Sequence, residues 1–303
     1  MKVIFLFLDG VGIGSPDPCR NPFLEAKTPF LDFLLQGRKL CQGLQPFHSD
    51  LVSFYALDAC MEVPGLPQSA TGQAAILTGK NLARQLGYHF GPKPNPEIAH
   101  HLKNSNLFHT LRQRNYRVSY LNAFPPIYFE NIASGKRLFS AIPLAAASAG
   151  LDLKGYDELM AGEALSADFT AEGWHIHLGI QGVPLLSPKD AGKRIAQLAQ
   201  NFDLIFFEHW LTDYAGHRQN KVEAIRLLEV IDAVLEGLLR HWSPDEGIIW
   251  VTSDHGNIED LSHRRHTQNQ VPLLLVGSLG LREKLPALQS LLDIYPALLS
   301  LFP

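Results

Sequence analysis

Lys2–Leu8 reads KVIFLFL and runs straight into Asp9-Gly10. Apolar side chains at both parities describe a strand buried on both faces, as in a parallel sheet covered by helices. The acid that ends it therefore sits at the carboxyl edge of the strand, where open α/β sheets bind ligands. The pattern recurs twice. Asp203–Glu208 (DLIFFE) reads as a second buried strand, and the loop after it carries Asp213 and His217. Gly247–Thr252 (GIIWVT) reads as a third and leads into Asp254-His255. Helical patterns precede both, over Lys189–Gln200 and Lys221–Trp242. This alternation predicts an α/β fold with a mainly parallel sheet between helices. Residues 88–185 differ in texture, with GPKPNPE, FPPIYF and AIPLAAASAG among short helical or strand pieces. They read as a smaller α+β cap domain inserted into a core made of residues 1–87 and 186–303, since a structureless connection of that length is uncommon.

Composition narrows the class. The 303 residues are 46% hydrophobic and 18% charged, which suits a real core and excludes a disordered chain. Lys plus Arg is 26 against 30 Asp plus Glu, for a net charge of -4, without the basic excess of a nucleic-acid binder. Cys19, Cys41 and Cys60 are odd in number and form no Cys-x-x-Cys pair, so no disulfide framework is expected and a reducing cytoplasm is the expected location. The apolar run at the start is too short for a signal peptide, and no run approaches the roughly 18 apolar residues of a membrane span. The expectation is a soluble protein without a membrane or nucleic-acid partner. Nothing in the sequence speaks to oligomeric state.

Five segments concentrate acids, imidazoles and one hydroxyl: Asp9-Gly10, Ser69-Ala-Thr-Gly-Gln73, Asp213-Tyr-Ala-Gly-His217, Ser253-Asp-His-Gly-Asn257, and Arg265-His-Thr267 ahead of Val271-Pro272. Asp and His are the mixed oxygen and nitrogen donors that Zn and Mn accept. A lone Asp-x-x-x-His is a weak signal; its occurrence together with four other such concentrations of donors, several just past buried strands, is a strong one.

In order and content these segments resemble the alkaline phosphatase superfamily, in the branch of phosphopentomutase and cofactor-independent phosphoglycerate mutase. The first half carries Asp9-Gly10, Lys27-Thr28-Pro29 with Leu31-Asp32, and Gly65-Leu66-Pro67 leading to Ser69-x-x-Gly72. The second carries Asp213-x-x-x-His217, Asp254-His255-Gly256-Asn257 and His266-Thr267. The resemblance implies an alkaline-phosphatase-like core holding two divalent metal ions, Mn or Zn with Mg as a further option, about 4 Å apart. It places Asp9, Asp254, His255 and Ser69 on one ion and Asp213, His217 and His266 on the other. It also implies that Ser69 is the nucleophile and is phosphorylated during turnover. Elementary chemistry agrees: a serine hydroxyl is a poor nucleophile, no histidine flanks Ser69 in sequence, and a metal ion lowers a hydroxyl's pKa. Ala74–Leu77 suggest a helix starting at Ser69, whose N-terminal amides suit phosphate oxygens.

Other residues compete for roles. Thr71 is the rival hydroxyl, and His263 the rival of His266, though only His266 precedes the threonine of the family pattern. Asn257 is expected to shape its loop by hydrogen bonds. Glu208 reads either as a carboxylate supporting the site or as half of a buried ion pair. His100-His101 and His175-x-His177 read as exposed polar residues. Lys136-Arg137 is the best candidate for binding substrate anions, because arginine grips phosphate oxygens with a planar fork. The chain departs from the mutases in having Gln73 where they have histidine, and in a shorter insertion. The expected activity is thus phosphatase or phosphomutase on a small phosphorylated metabolite. The alternatives are phosphodiester hydrolysis on the same two-metal core and metal binding without catalysis. The sulfatase motif Cys/Ser-x-Pro-x-Arg is missing after Ser69.

Overall fold

A computed structural model describes all residues 1–303. Seven strands form one sheet: β1 (Lys2–Leu8), β2 (Phe47–His48), β3 (Val52–Leu57), β4 (Val118–Tyr120), β5 (Leu204–His209), β6 (Gly247–Thr252) and β7 (Val271–Val276). Their order is β2-β3-β7-β6-β1-β5-β4. Side chains alternate across it. Val3, Phe5 and Phe7 enter one core while Ile4, Leu6 and Leu8 enter the other, and β5 and β6 divide in the same way. Both parities are therefore apolar in all three strands.

The helix Ser69–Thr78 is buried at every position and lies in the first core with Ala141–Ser148 and Ile294–Ser300. It has no polar face because protein surrounds it. The opposite face is covered by Pro188–Ala199 and Lys221–Leu239. Those two helices touch backbone to backbone. A Cβ on Gly192 would lie 2.1 Å from the Val234 carbonyl oxygen, and one on Gly237 would lie 2.1 Å from that of Lys189. Gly237→Ala should therefore destabilise the fold by about 2 kcal/mol, the overpacking cost outweighing alanine's helix propensity; a chemical-unfolding midpoint at or above wild type would contradict this.

The α/β fold is as expected, and the structure refines one expectation and changes another. The sheet is mixed: β1 pairs in parallel with β5 and β6, and β4 with β5, but the β2–β3, β3–β7 and β6–β7 pairs are antiparallel. The expected cap over residues 88–185 also does not stand apart. Its strand β4 extends the common sheet beside β5, and Leu102, Phe108, Leu111 and Ala145 share the core of the Ser69 helix. Proline-rich connections made this stretch look separate, while its helices carry ordinary apolar faces that complete the sheet's cover. Only a small cluster around Leu159, Ala164, Trp174 and Val183 forms a core of its own. No helix is long and apolar enough to cross a membrane.

Candidate metal centre

Strand direction gathers the five segments. β6, β1 and β5 are adjacent and parallel, so Asp9, the loop bearing Asp213 and the pair Asp254-His255 emerge at one edge. β3 runs the same way, and the chain beyond it reaches that edge before entering the helix at Ser69. β7 runs oppositely, so its first residue, Val271, begins there, just after His266. Two glycines permit the close approach. A Cβ on Gly10, at φ +70°, would lie 2.8 Å from Asp213, and one on Gly72 would lie 2.9 Å from the Asp254 carbonyl oxygen.

One group forms around Ser69. Its Oγ lies 3.0 Å from His255 Nε2. That nitrogen is 3.4 Å from Asp9 Oδ1 and 3.6 Å from Asp254 Oδ2. The sequence shows no histidine beside Ser69; the fold supplies one from 186 residues away. The second group is Asp213, His217 and His266. Asp213 Oδ2 is 3.2 Å from His217 Nε2, Asp213 Oδ1 is 3.5 Å from His266 Nε2, and the two imidazole nitrogens are 3.2 Å apart. The groups adjoin, with the His255 and His266 rings stacked at 3.7 Å.

Two imidazoles are oriented as ligands. His266 Nδ1 donates to the Pro67 carbonyl at 2.7 Å, and His217 Nδ1 to that of Arg264 at 2.7 Å. A carbonyl only accepts, so each Nδ1 carries a proton and a neutral ring turns its Nε2 lone pair inward. Burial favours the neutral form of His255, which it lowers, and of His266, which it takes down to about 4, whereas the bond to Asp213 raises His217. The carboxyls lie deep. Burial and then the charge of neighbouring acids push Asp9 well above the usual range, and burial with the Asp213 charge takes Asp254 up to about 7. Burial also acts upward on Asp213, but His217, His255, His266 and Asn257 outweigh it and hold that carboxyl well below the usual range. Asp9 Oδ1 is buried without a hydrogen-bond donor. Closely packed carboxylates with an unpartnered oxygen, facing imidazole nitrogens, suit divalent cations.

The other candidates fall as follows. Ser69 begins its helix after the capping residue Gln68, with its hydroxyl directed to His255. Thr71 Oγ1 instead donates to the Gln68 carbonyl at 3.0 Å. His263 pairs loosely with Asp260 at 3.9 Å, outside the cluster. His100 meets Asn104, His101 meets Lys80, and His175 bonds the Val183 carbonyl, so none joins the centre. Asn257 Nδ2 donates to Asp213 Oδ1 at 2.6 Å. Glu208 makes no ion pair; it accepts the Tyr120 hydroxyl at 2.6 Å, and burial carries its carboxyl up to about 7. Lys136 and Arg137 are exposed and without carboxylate partners, and Arg137 lies 5.0 Å from the centroid of the Tyr128 ring.

Two residues escaped the sequence reading. Gln73, noted only as a departure from the mutases, donates to Asp9 Oδ2 at 3.4 Å and Asp254 Oδ2 at 3.1 Å. Glu259, fully buried, bonds to loops on both sides of the centre. Its place two residues after Asn257 was the available signal.

Residues 181–303 match the family model of the Metalloenzyme superfamily. A 2,3-bisphosphoglycerate-independent phosphoglycerate mutase of Methylobacillus flagellatus is 30% identical over 113 residues, which span 35% of this chain and 22% of that protein. The chain thus matches about a fifth of the length of this curated relative. Among solved structures, alkaline phosphatase from the Antarctic bacterium TAB5 aligns over 99% of this chain and 97% of its own, at 14% identity and a TM-score of 0.56. Leishmania mexicana phosphoglycerate mutase aligns over 99% and 95%, at 12% identity and a TM-score of 0.51. Both share the fold.

Proposed function

We propose that this chain, whose residues 181–303 match the family model of the Metalloenzyme superfamily, is a metal-dependent phosphatase or phosphomutase that works through a phosphoserine on Ser69. The observation that carries this reading is the Ser69 hydroxyl, 3.0 Å from His255 Nε2 and beside a second group of one acid and two imidazoles. Asp9, Asp254, His255 and Ser69 would hold one ion, and Asp213, His217 and His266 the other; both Mn and Zn suit these donors. What two bound divalent ions supply is a lowered pKa for the serine hydroxyl and neutralisation of phosphate charge.

The chain's own groups do the rest. Ser69 Oγ gives up its proton to solvent and forms a bond to phosphorus while the bond to the departing alkoxide breaks, and the alkoxide takes a proton back from water, so that none is gained or lost. The amides of Ser69 and Ala70, first in their helix, have no partner within the chain and suit the phosphate oxygens. Water then hydrolyses the phosphoserine in a phosphatase; in a mutase a second hydroxyl of the substrate takes up the phosphoryl group. The substrate is a small phosphorylated metabolite. A cavity of about 360 Å³, lined by Leu66, Gln68, Tyr88, His89 and Phe90 among others, opens beside the helix start and suits its organic part.

Assay of metal-loaded protein against phosphomonoesters, diesters and sugar phosphates, with products identified, tests the reading. Turnover of monoesters with phosphate release or migration is expected; diester cleavage alone, or no turnover with Mn or Zn, would overturn it. Lys136 and Arg137 are assigned to the substrate's anionic end. Arg137→Met should raise KM about tenfold and leave kcat within a small factor, the signature of uniform binding; an unchanged KM removes Arg137 from that role.

A further inference from the structure

The geometry points to Glu259 as the positioning residue that holds the two ligand groups in register with each other. Its Oε2 accepts the Gly12 amide at 3.0 Å and the Asn257 amide at 2.7 Å. Its Oε1 accepts the Asn269 side-chain amide at 3.0 Å and the Thr267 hydroxyl. One fully buried carboxylate thus ties together the loop after Asp9, the loop after Asp254-His255 and the segment that follows His266. It also reaches the fourth segment, because Asn257, whose amide it fixes, donates its side chain to Asp213 at 2.6 Å. Thr267 closes the frame by donating its amide to the Gly256 carbonyl at 2.9 Å.

The surroundings are cut to fit this side chain. A Cβ on Gly12 would lie 2.3 Å from Glu259 Oε1. One on Gly256 would lie 2.2 Å from the same oxygen, and one on Gly14 would lie 2.5 Å from the Glu259 carbonyl oxygen. Three glycines on two loops leave room for one glutamate. A carboxylate is suited to this place because it only accepts, and all four neighbours donate. Glutamine can keep the two backbone amides on its oxygen and turn its NH2 to the Thr267 hydroxyl, losing the Asn269 bond alone. Alanine loses all four and leaves two amides buried without partners. Thr267→Val removes only the branch toward His266.

This inference rests on the two-ion reading above, and metal binding tests it separately from catalysis. Mn(II) titration by calorimetry should show two ions in wild type. Glu259→Ala should weaken both by about 10–100-fold, the usual cost of losing an outer partner of metal ligands. Thr267→Val should weaken one ion and spare the other, and Glu259→Gln should restore both to within about threefold of wild type. Circular dichroism checks folding of the metal-free variants. Wild-type affinities in folded Glu259→Ala overturn the inference. Should that variant not fold, wild-type affinities for both ions in Thr267→Val overturn it equally. Wild type binding no Mn(II) at all would instead overturn the two-ion reading.

Discussion

Ser69→Ala is expected to lower turnover of phosphate esters by about 10³-fold or more, roughly 4 kcal/mol of barrier, without unfolding the chain. The hydroxyl lies 3.0 Å from His255 Nε2, at the point where Asp9 and Asp254 also converge. No other hydroxyl takes its place, because Thr71 Oγ1 is turned to the Gln68 carbonyl. The substitution opens only a small space in a helix already flanked by Ala70, Ala74 and Ala75, and alanine is a good helix former. Three donors remain in its group and three in the other, so most Mn(II) binding should persist. Mass spectrometry of wild type quenched during turnover should find phosphate on the peptide containing Ser69. Near-native activity of the variant, or phosphate on Thr71, would show that the nucleophile lies elsewhere.

Asp213→Asn should be the most damaging change among the ligand candidates for metal binding, weakening the affected ion by about 100-fold or more. Asp213 is the only acid of its group, facing His217 and His266, and its carboxylate also lies within 4.8 Å of ligand atoms of Asp9 and His255 in the neighbouring group. The substitution removes the charge facing both imidazoles, and at Oδ1 it sets an amide of mixed polarity against the Asn257 donor at 2.6 Å. Loss of an outer partner costs about 10–100-fold, and loss of a charged direct donor should cost more. Mn(II) calorimetry on the variant measures this directly. Two ions bound at wild-type affinity would remove Asp213 from the centre.

Much of the frame was readable before any coordinates. The three buried strands read from KVIFLFL, DLIFFE and GIIWVT became the middle of the sheet, because apolar residues at both parities are a local signal. Strands β2, β3, β4 and β7 passed unread. β2 and β4 are only two and three residues long, and VPLLLV is as apolar as a buried helix segment. Residues 88–185 were misjudged because prolines mark boundaries of elements and say little about which core an element joins. Arg282 was likewise illegible: it is buried and bonded to the Gly277, Ser49 and Asp50 carbonyls, a setting assembled from distant turns.

The identity of the chemical groups, and that they follow buried strands, came from the order of residues alone, since donor chemistry belongs to the side chain. Their meeting did not. His266 reaches the common edge because β7 runs against β6, where a parallel strand would have begun at the opposite end of the sheet. His255 comes to Asp9 because β6 lies next to β1. Glu259 became a hub only when donors from residues 12, 257, 267 and 269 closed around one carboxylate. Pairing direction and the packing of loops are set by contacts between residues far apart in the chain, and such contacts exist only in the folded structure.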